Sequence, residues 1–280
     1  MSPVVTIDEL AALLRSDPPP VLLDVRWALG DTAGRQHYLD AHLPGAVFVD
    51  LDTELAAPGR PELGRHPLPE VADLQDAARR WGIRAGSTVV VYDATGNLAA
   101  ARAWWLLRWA GVADVSMLDG GLGAWTSAGR PVRSGDEQAR VPGDVVLTAG
   151  HLATLTADEA AEFADRGHLL DARAAERYSG ATEPVDPRAG HIPGAHSAPT
   201  SENLGPDGRF VPVEALRARF AAVGAEPGRP VGVYCGSGVT AAHQVAALAL
   251  AGIDAALYPG SWSQWSSDPG RPVATGPDPQ

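Results

Sequence analysis

The chain repeats itself, and the repeat constrains its fold more than any other feature. Four short segments occur twice in the same order. Val21–Arg26 (VLLDVR) answers to Leu169–Arg173 (LLDAR), His42–Ala46 (HLPGA) to His191–Ala195 (HIPGA), Val89–Asp93 (VVVYD) to Val231–Cys235 (VGVYC), and Arg130–Val132 to Arg271–Val273, both RPV. The offsets stay between 141 and 149 residues. Collinear matches at nearly constant spacing mark a duplicated domain, and 280 residues suffice for two. Ser134–Gly143 (SGDEQARVPG) is polar and punctuated by Gly and Pro, as a connection is. The expected layout is a domain over 1–134, a linker over 135–149 and a second domain over 150–280.

Within each half, short apolar runs alternate with helical patterns. VLLDV, VVVYD and VSMLD, and later LLDA, VGVYC and AALYP, read as buried strands of a parallel sheet. Ala99–Gly111 and Thr240–Gly252 read as helices closed by a C-terminal glycine. This alternation predicts an α/β fold in each half, a mostly parallel sheet with helices on both faces. Such sheets bind ligands outside the carboxyl ends of their strands. The loops after VVVYD and VGVYC are therefore the places to look for chemistry.

All 22 basic residues are Arg, and they face 34 acidic ones for a net charge of -12. That balance argues against nucleic acid and against an anionic membrane surface as partners, since both need a basic face. An anionic substrate has to be caught by a local basic pocket working against the global field. Cys235 is the only cysteine, so no intramolecular disulfide can form and Cys-rich zinc sites are excluded. Eight His residues without ligand spacing predict no metal site. Gly236-Ser237-Gly238 and Gly121-Leu122-Gly123 lack the third glycine of a dinucleotide fingerprint. No cofactor is expected. The N-terminus lacks a basic start followed by an apolar core, and no apolar run approaches ~18 residues, so a cytoplasmic protein is expected.

Cys235-Gly236-Ser237-Gly238-Val239-Thr240 joins the strand VGVY to the helix after it. The cysteine falls at the strand's end, before a helix N-terminus. Gly236 and Gly238 permit the backbone to curl its amides inward. Amides and helix dipole together favour negative charge at that point, which would make Cys235 a thiolate and a nucleophile. Ser237 and Thr240 add hydroxyls. The bland alternative is a buried cysteine at a tight turn.

The duplicated domain, the two HxPGA segments and a single cysteine in CGSGVT resemble the two-domain rhodanese family of sulfurtransferases, and most nearly its 3-mercaptopyruvate sulfurtransferases. The resemblance covers nearly the whole chain. It implies two rhodanese domains of which the second is active and the first, with Asp93 at the cysteine position, is silent. It also implies a ping-pong reaction in which the Cys235 thiolate takes sulfur from a small-molecule donor, becomes a persulfide, and passes the sulfur to a thiol, a thioredoxin-like protein or cyanide. Gly236, Gly238, Val239 and Thr240 would then cradle the substrate, and a monomer is implied.

Two neutral residues, Gly236 and Ser237, follow the cysteine where members using thiosulfate carry cations, so the resemblance favours 3-mercaptopyruvate as donor. Ser237 would protonate the departing enolate, helped by a His and an Asp from the first half. His42 and Asp31 are the candidates, although His42 could equally serve only to orient its turn. Arg177 and Arg188 resemble the arginines that bind the substrate carboxylate, a task suited to guanidinium forks. Arg173 matches Arg26 of the silent half and reads as a structural ion pair. Thiosulfate:cyanide sulfurtransferase is the main alternative, and a non-catalytic sulfur-binding or sensing module the second. A cysteine-dependent phosphatase would need Arg where Ala241 stands, and nothing marks the His and Asn of a cysteine protease.

Overall fold

The computed structural model describes residues 2–139 and 141–279, with the backbone alone at 164–166. The chain divides into two compact units. Unit 1 holds the chain up to Ala57, Pro69–His151 and Gly205–Phe210, and unit 2 holds Pro58–Leu68, Leu152–Leu204 and the chain from Val211 onward.

Unit 1 runs β1 (Val4–Val5), α1 (Ile7–Leu13), β2 (Val21–Asp24), α2 (Gly34–Asp40), β3 (Ala46–Phe48), α3 (Leu51–Glu54), α4 (Val71–Arg80), β4 (Val89–Tyr92), α5 (Ala100–Trp109), β5 (Val115–Leu118) and α6 (Gly121–Ser127). Its sheet has the order β1-β5-β4-β2-β3, every pair parallel. Unit 2 runs α7 (Ala157–Arg166), β6 (His168–Asp171), α8 (Ala175–Tyr178), β7 (His196–Ser197), α9 (Val213–Ala222), β8 (Val231–Tyr234), α10 (Thr240–Ala251), β9 (Ala256–Leu257) and α11 (Ser261–Ser267). Its sheet is β7-β6-β8-β9, again all parallel. The central strands β4 and β8 are buried at every residue, as strands covered on both faces must be.

The two units share fixtures that the short matches in sequence only hinted at. Each opens its first helix with a capping box, Thr6 with Glu9 and Thr156 with Glu159. In each, a strand-end Asp pairs with an Arg two residues on, Asp24 with Arg26 and Asp171 with Arg173. Each HxPGA histidine stacks on a tyrosine, Tyr38 on His42 at 4.3 Å and Tyr178 on His191 at 3.8 Å. In each, the His Nδ1 meets that tyrosine's carbonyl at 2.9 Å. The RPV segments receive an indole N–H each, from Trp125 to the Pro131 carbonyl and from Trp265 to that of Pro272. These pairs sit in matching cores, with Leu22, Leu43, Tyr92 and Trp125 in unit 1 and Leu169, Ile192, Tyr234, Trp262 and Trp265 in unit 2.

The stretch expected as a linker carries no helix or strand among its described residues, yet it does not hang free. Gly135, Gly143, Val145 and Thr148 donate backbone N–H groups to carbonyls of Leu39, Arg79, Ile83 and Ala110. Val145 and Leu147 are buried. Unit 1 therefore extends through His151. No helix among the described residues is long and apolar enough to cross a membrane.

Candidate active site

The loop between β8 and α10 is fixed at both edges. Cys235 donates its N–H to Ser261 Oγ at 3.2 Å and accepts at its carbonyl from Trp262 N–H at 3.0 Å. The Gly236 carbonyl accepts from Ser263 N–H at 2.9 Å. Gly238 has φ +78, and a β-carbon there would lie 2.5 Å from the Pro259 carbonyl oxygen, so only glycine lets the loop pass β9's end. In this turn the Gly238 N–H points at Cys235 Sγ, 3.1 Å away. Cys235 is buried, 2% exposed, and stands five residues before the 12-residue α10. An amide donor and a helix N-terminus stabilise a sulfur anion there.

A second strip of unit 2, Pro58–Leu68, lies against the start of α11. Gly64 makes this possible: its φ is +88, and a β-carbon would meet the Gly260 carbonyl oxygen at 2.6 Å. Next to it, Arg65 N–H donates to Ser263 Oγ at 3.1 Å. The side chains of Arg65 and His66 then reach the loop. His66 Nδ1 is 2.7 Å from Ser237 Oγ, a hydroxyl–imidazole pair able to pass a proton. Arg65 forms an ion pair with Asp186. A β-carbon at Gly236 would lie 3.0 Å from Arg65 Nη2 and 3.5 Å from Arg177 Nη1, so two guanidinium groups overhang the residue after the cysteine. A cleft of about 480 Å³ opens here, lined by Arg60, Arg65, His66, Asp186 and Ser263 among others.

The structure brings together Cys235, Gly236, Ser237, Gly238, Val239, Thr240 and Arg177, all expected at the site. It corrects three expectations. The imidazole on Ser237 is that of His66, not His42, which is fully buried, stacked on Tyr38 and bonded to its carbonyl. Since His191 repeats that arrangement in unit 2, the HxPGA histidine is a fixture of the fold. Asp31 meets His37 at 3.2 Å and lines a small cavity in unit 1 with Arg26 and Asp93. Arg188 does not offer its guanidinium to a substrate. Its N–H groups donate to four carbonyls, those of Ser266, Arg271, Trp265 and Asp268, and lock the turn after α11. Arg173 is the structural ion pair expected, on Asp171.

Arg65 and His66 escaped the sequence reading because Pro58–Leu68 lies outside the four repeated segments and has no regular structure. The available signal was a further match at the same spacing: Gly64-Arg65 answers to Gly208-Arg209, 144 residues on, and His66 stands where the second copy has Phe210. Among the described residues no cluster of three His, Cys, Asp or Glu is arranged to hold a metal ion.

Comparison with known proteins identifies the family. The rhodanese-like domain family matches residues 6–128 and again 156–268. A Mycobacterium tuberculosis protein, provisionally named thiosulfate sulfurtransferase SseB, is 50% identical over 98% of this chain and 97% of its own length. A Pseudomonas aeruginosa protein, provisionally named 3-mercaptopyruvate sulfurtransferase, is 49% identical over 98% of each chain. The crystal structure of SseA from Escherichia coli, a 3-mercaptopyruvate sulfurtransferase, superimposes with a TM-score of 0.83 at 32% identity, covering 94% of this chain and 99% of that one.

Proposed function

Because the chain belongs to the rhodanese-like family and is a sulfurtransferase, we propose that it takes sulfur from 3-mercaptopyruvate onto Cys235 and hands it to a thiol, a thioredoxin-like protein or cyanide. Relatives of nearly equal identity carry names for two different donors, so the donor must be argued from the site. The observation that carries the reading is the Ser237–His66 pair beside the cysteine loop.

The two donors differ in what leaves. When the Cys235 thiolate attacks the donor sulfur of 3-mercaptopyruvate, a sulfur–sulfur bond forms and the carbon–sulfur bond breaks. Its electron pair goes to carbon, and the enolate so made needs a proton to become pyruvate. Ser237 can supply that proton and draw a replacement through His66. Thiosulfate releases sulfite, which leaves with the electron pair and requires no proton. A general acid held at 2.7 Å from an imidazole is thus useful to the first donor and idle for the second. The helix N-terminus and the Gly238 amide favour the thiolate before the attack and the persulfide anion after it.

The test is initial-rate sulfur transfer to cyanide from 3-mercaptopyruvate and from thiosulfate, with Cys235→Ser as blank. The reading expects kcat/KM for 3-mercaptopyruvate to exceed that for thiosulfate by about tenfold or more. A preference for thiosulfate would leave the cysteine chemistry standing and overturn the donor.

A further inference from the structure

The arginines over Gly236 do not stand alone. Three guanidinium groups, those of Arg65, Arg173 and Arg177, are laced to three carboxylates, those of Asp171, Glu183 and Asp186. The lattice carries no net charge. Arg60 also lines the cleft but is exposed, where solvent weakens its field.

The three acids do different work. Asp171 is the fixed partner of Arg173. Glu183 accepts from Arg173 and Arg177 and from the backbone N–H groups of Val185 and Asp186, so it shapes the loop as well as the charge. Burial pushes the Glu183 carboxyl up, but its hydrogen bonds from Arg177 and the Asp186 amide outweigh that and hold it below the usual range. Among the described residues, the Asp186 carboxylate pairs only with the two arginines that overhang Gly236. One of its oxygens meets Arg65 Nη1 and the other meets Arg177 Nη2 at 3.0 Å. Its side chain is only 2% exposed.

Several guanidinium donors stay unspent. None of the hydrogen bonds among the described residues uses Arg177 Nη1 or Arg65 Nη2, the two atoms nearest Gly236. Arg65 Nε is buried and has no hydrogen-bond partner among the described residues. Arg177 Nη1 and Arg65 Nη2 overhang the residue after Cys235, beside the anionic end of a donor whose sulfur has reached Cys235. A carboxylate placed there meets two half-neutralised arginines across from a resident carboxylate.

We propose that Asp186 sets the donor specificity, by lending the arginine pair enough negative charge to accept a monoanionic 2-oxo carboxylate and to disfavour a dianion. The proposal deepens the 3-mercaptopyruvate reading and rests on it for the identity of the preferred donor. Its logic is Coulombic: at contact distances in a partly buried site, one extra charge on the ligand and one on the protein interact strongly enough to change selectivity by an order of magnitude.

The test compares Asp186→Asn and Asp186→Glu with the unaltered enzyme, measuring kcat/KM for 3-mercaptopyruvate and thiosulfate with cyanide as acceptor. Asp186→Asn is expected to raise the thiosulfate-to-mercaptopyruvate ratio by about tenfold, and Asp186→Glu, which keeps the charge, to leave it near the original. An unchanged ratio in a folded Asp186→Asn enzyme overturns the proposal. Should that variant not fold, inhibition of the unaltered enzyme decides. Pyruvate, a monoanion, should compete with the donor at lower concentration than oxalate, a dianion of similar size. The reverse order overturns it. If the unaltered enzyme already prefers thiosulfate, the donor reading fails, and the shift of the ratio in Asp186→Asn still decides the role of Asp186.

Discussion

The loops after β4 and β8 occupy the same place in the two units and use their amides in opposite ways. In unit 1 the loop closes on its own anion. Asp93 is buried, and its carboxylate accepts from four backbone N–H groups, those of Thr95, Asn97, Ala99 and Ala100, at 2.7–3.0 Å. In unit 2 a cysteine stands at that position, and the Gly238 amide donates to its sulfur. A carboxylate has two oxygens, and each takes two of the amides at the start of α5. A cysteine presents a single sulfur atom to the loop. The comparison teaches that the copy without a cysteine has kept an anion site and fills it with its own carboxylate.

That contrast can be broken by substitution. The largest effect is expected at the cysteine: Cys235→Ala should abolish transfer from any donor with the far-ultraviolet dichroism unchanged. Next comes His66→Gln, expected to lower kcat with 3-mercaptopyruvate by about a hundredfold while His42→Gln leaves kcat alone and lowers stability. Steady-state kinetics and thermal melts on the pair separate a proton-relay role from a structural one. If His42→Gln loses kcat and His66→Gln does not, His42 and not His66 serves Ser237. Arg177→Ala should cost about 1.5–3 kcal/mol of kcat/KM, as for a lost charged hydrogen bond. Arg188→Ala should instead lower the melting temperature with KM unchanged, because four carbonyls lose their donors.

Smaller effects sharpen the unit 1 side. Asp93→Ala removes the carboxylate from four amides and should cost unit 1 about 3 kcal/mol in denaturant unfolding. A loss below the error of the measurement would mean that solvent fills the cradle equally well. The smallest effect concerns Asp24, pushed up to about 6 mainly by burial, against the pull of Arg26. Its folded value lies above its ordinary one, so the charged carboxylate is a burden on unit 1 at neutral pH. That burden lifts as pH falls through about 6 and the folded state takes up a proton that the unfolded chain still refuses. Carboxyl carbon chemical shifts should show Asp24 titrating near pH 6, and a midpoint near 4 would contradict the assignment.

Much of this was legible in the chain. Strand-like runs such as VVVY and VGVY became β4 and β8, and the helix expected over Thr240–Gly252 became α10, closed by Gly252 at φ +83. The cysteine loop was legible because strand, glycines and helix start are contiguous. What the sequence hid was everything that reaches the loop from elsewhere. His66 is 171 positions from Ser237, and Arg65 is 121 from Asp186. Local patterns carry no trace of such pairings. His42 misled because its motif is conspicuous, yet a residue present in both copies, with and without the cysteine, is by that fact a candidate for the shared fold. Applied to Arg26 and Arg173, that reasoning gave the right answer; applied to His42 and His191, it would have done so again. Arg188 misled through its segment, since spacing cannot tell an arginine that meets substrate from one that ties down four carbonyls.

The most direct test of the central claim, that unit 2's loop holds sulfur on Cys235, is intact-protein mass spectrometry after incubation with 3-mercaptopyruvate and no acceptor. The unaltered protein should gain the mass of one sulfur atom, lose it on addition of cyanide, and Cys235→Ser should gain none. Sulfur bound to the Cys235→Ser protein, or transfer to cyanide without any sulfur-bearing form of the unaltered protein, would contradict it.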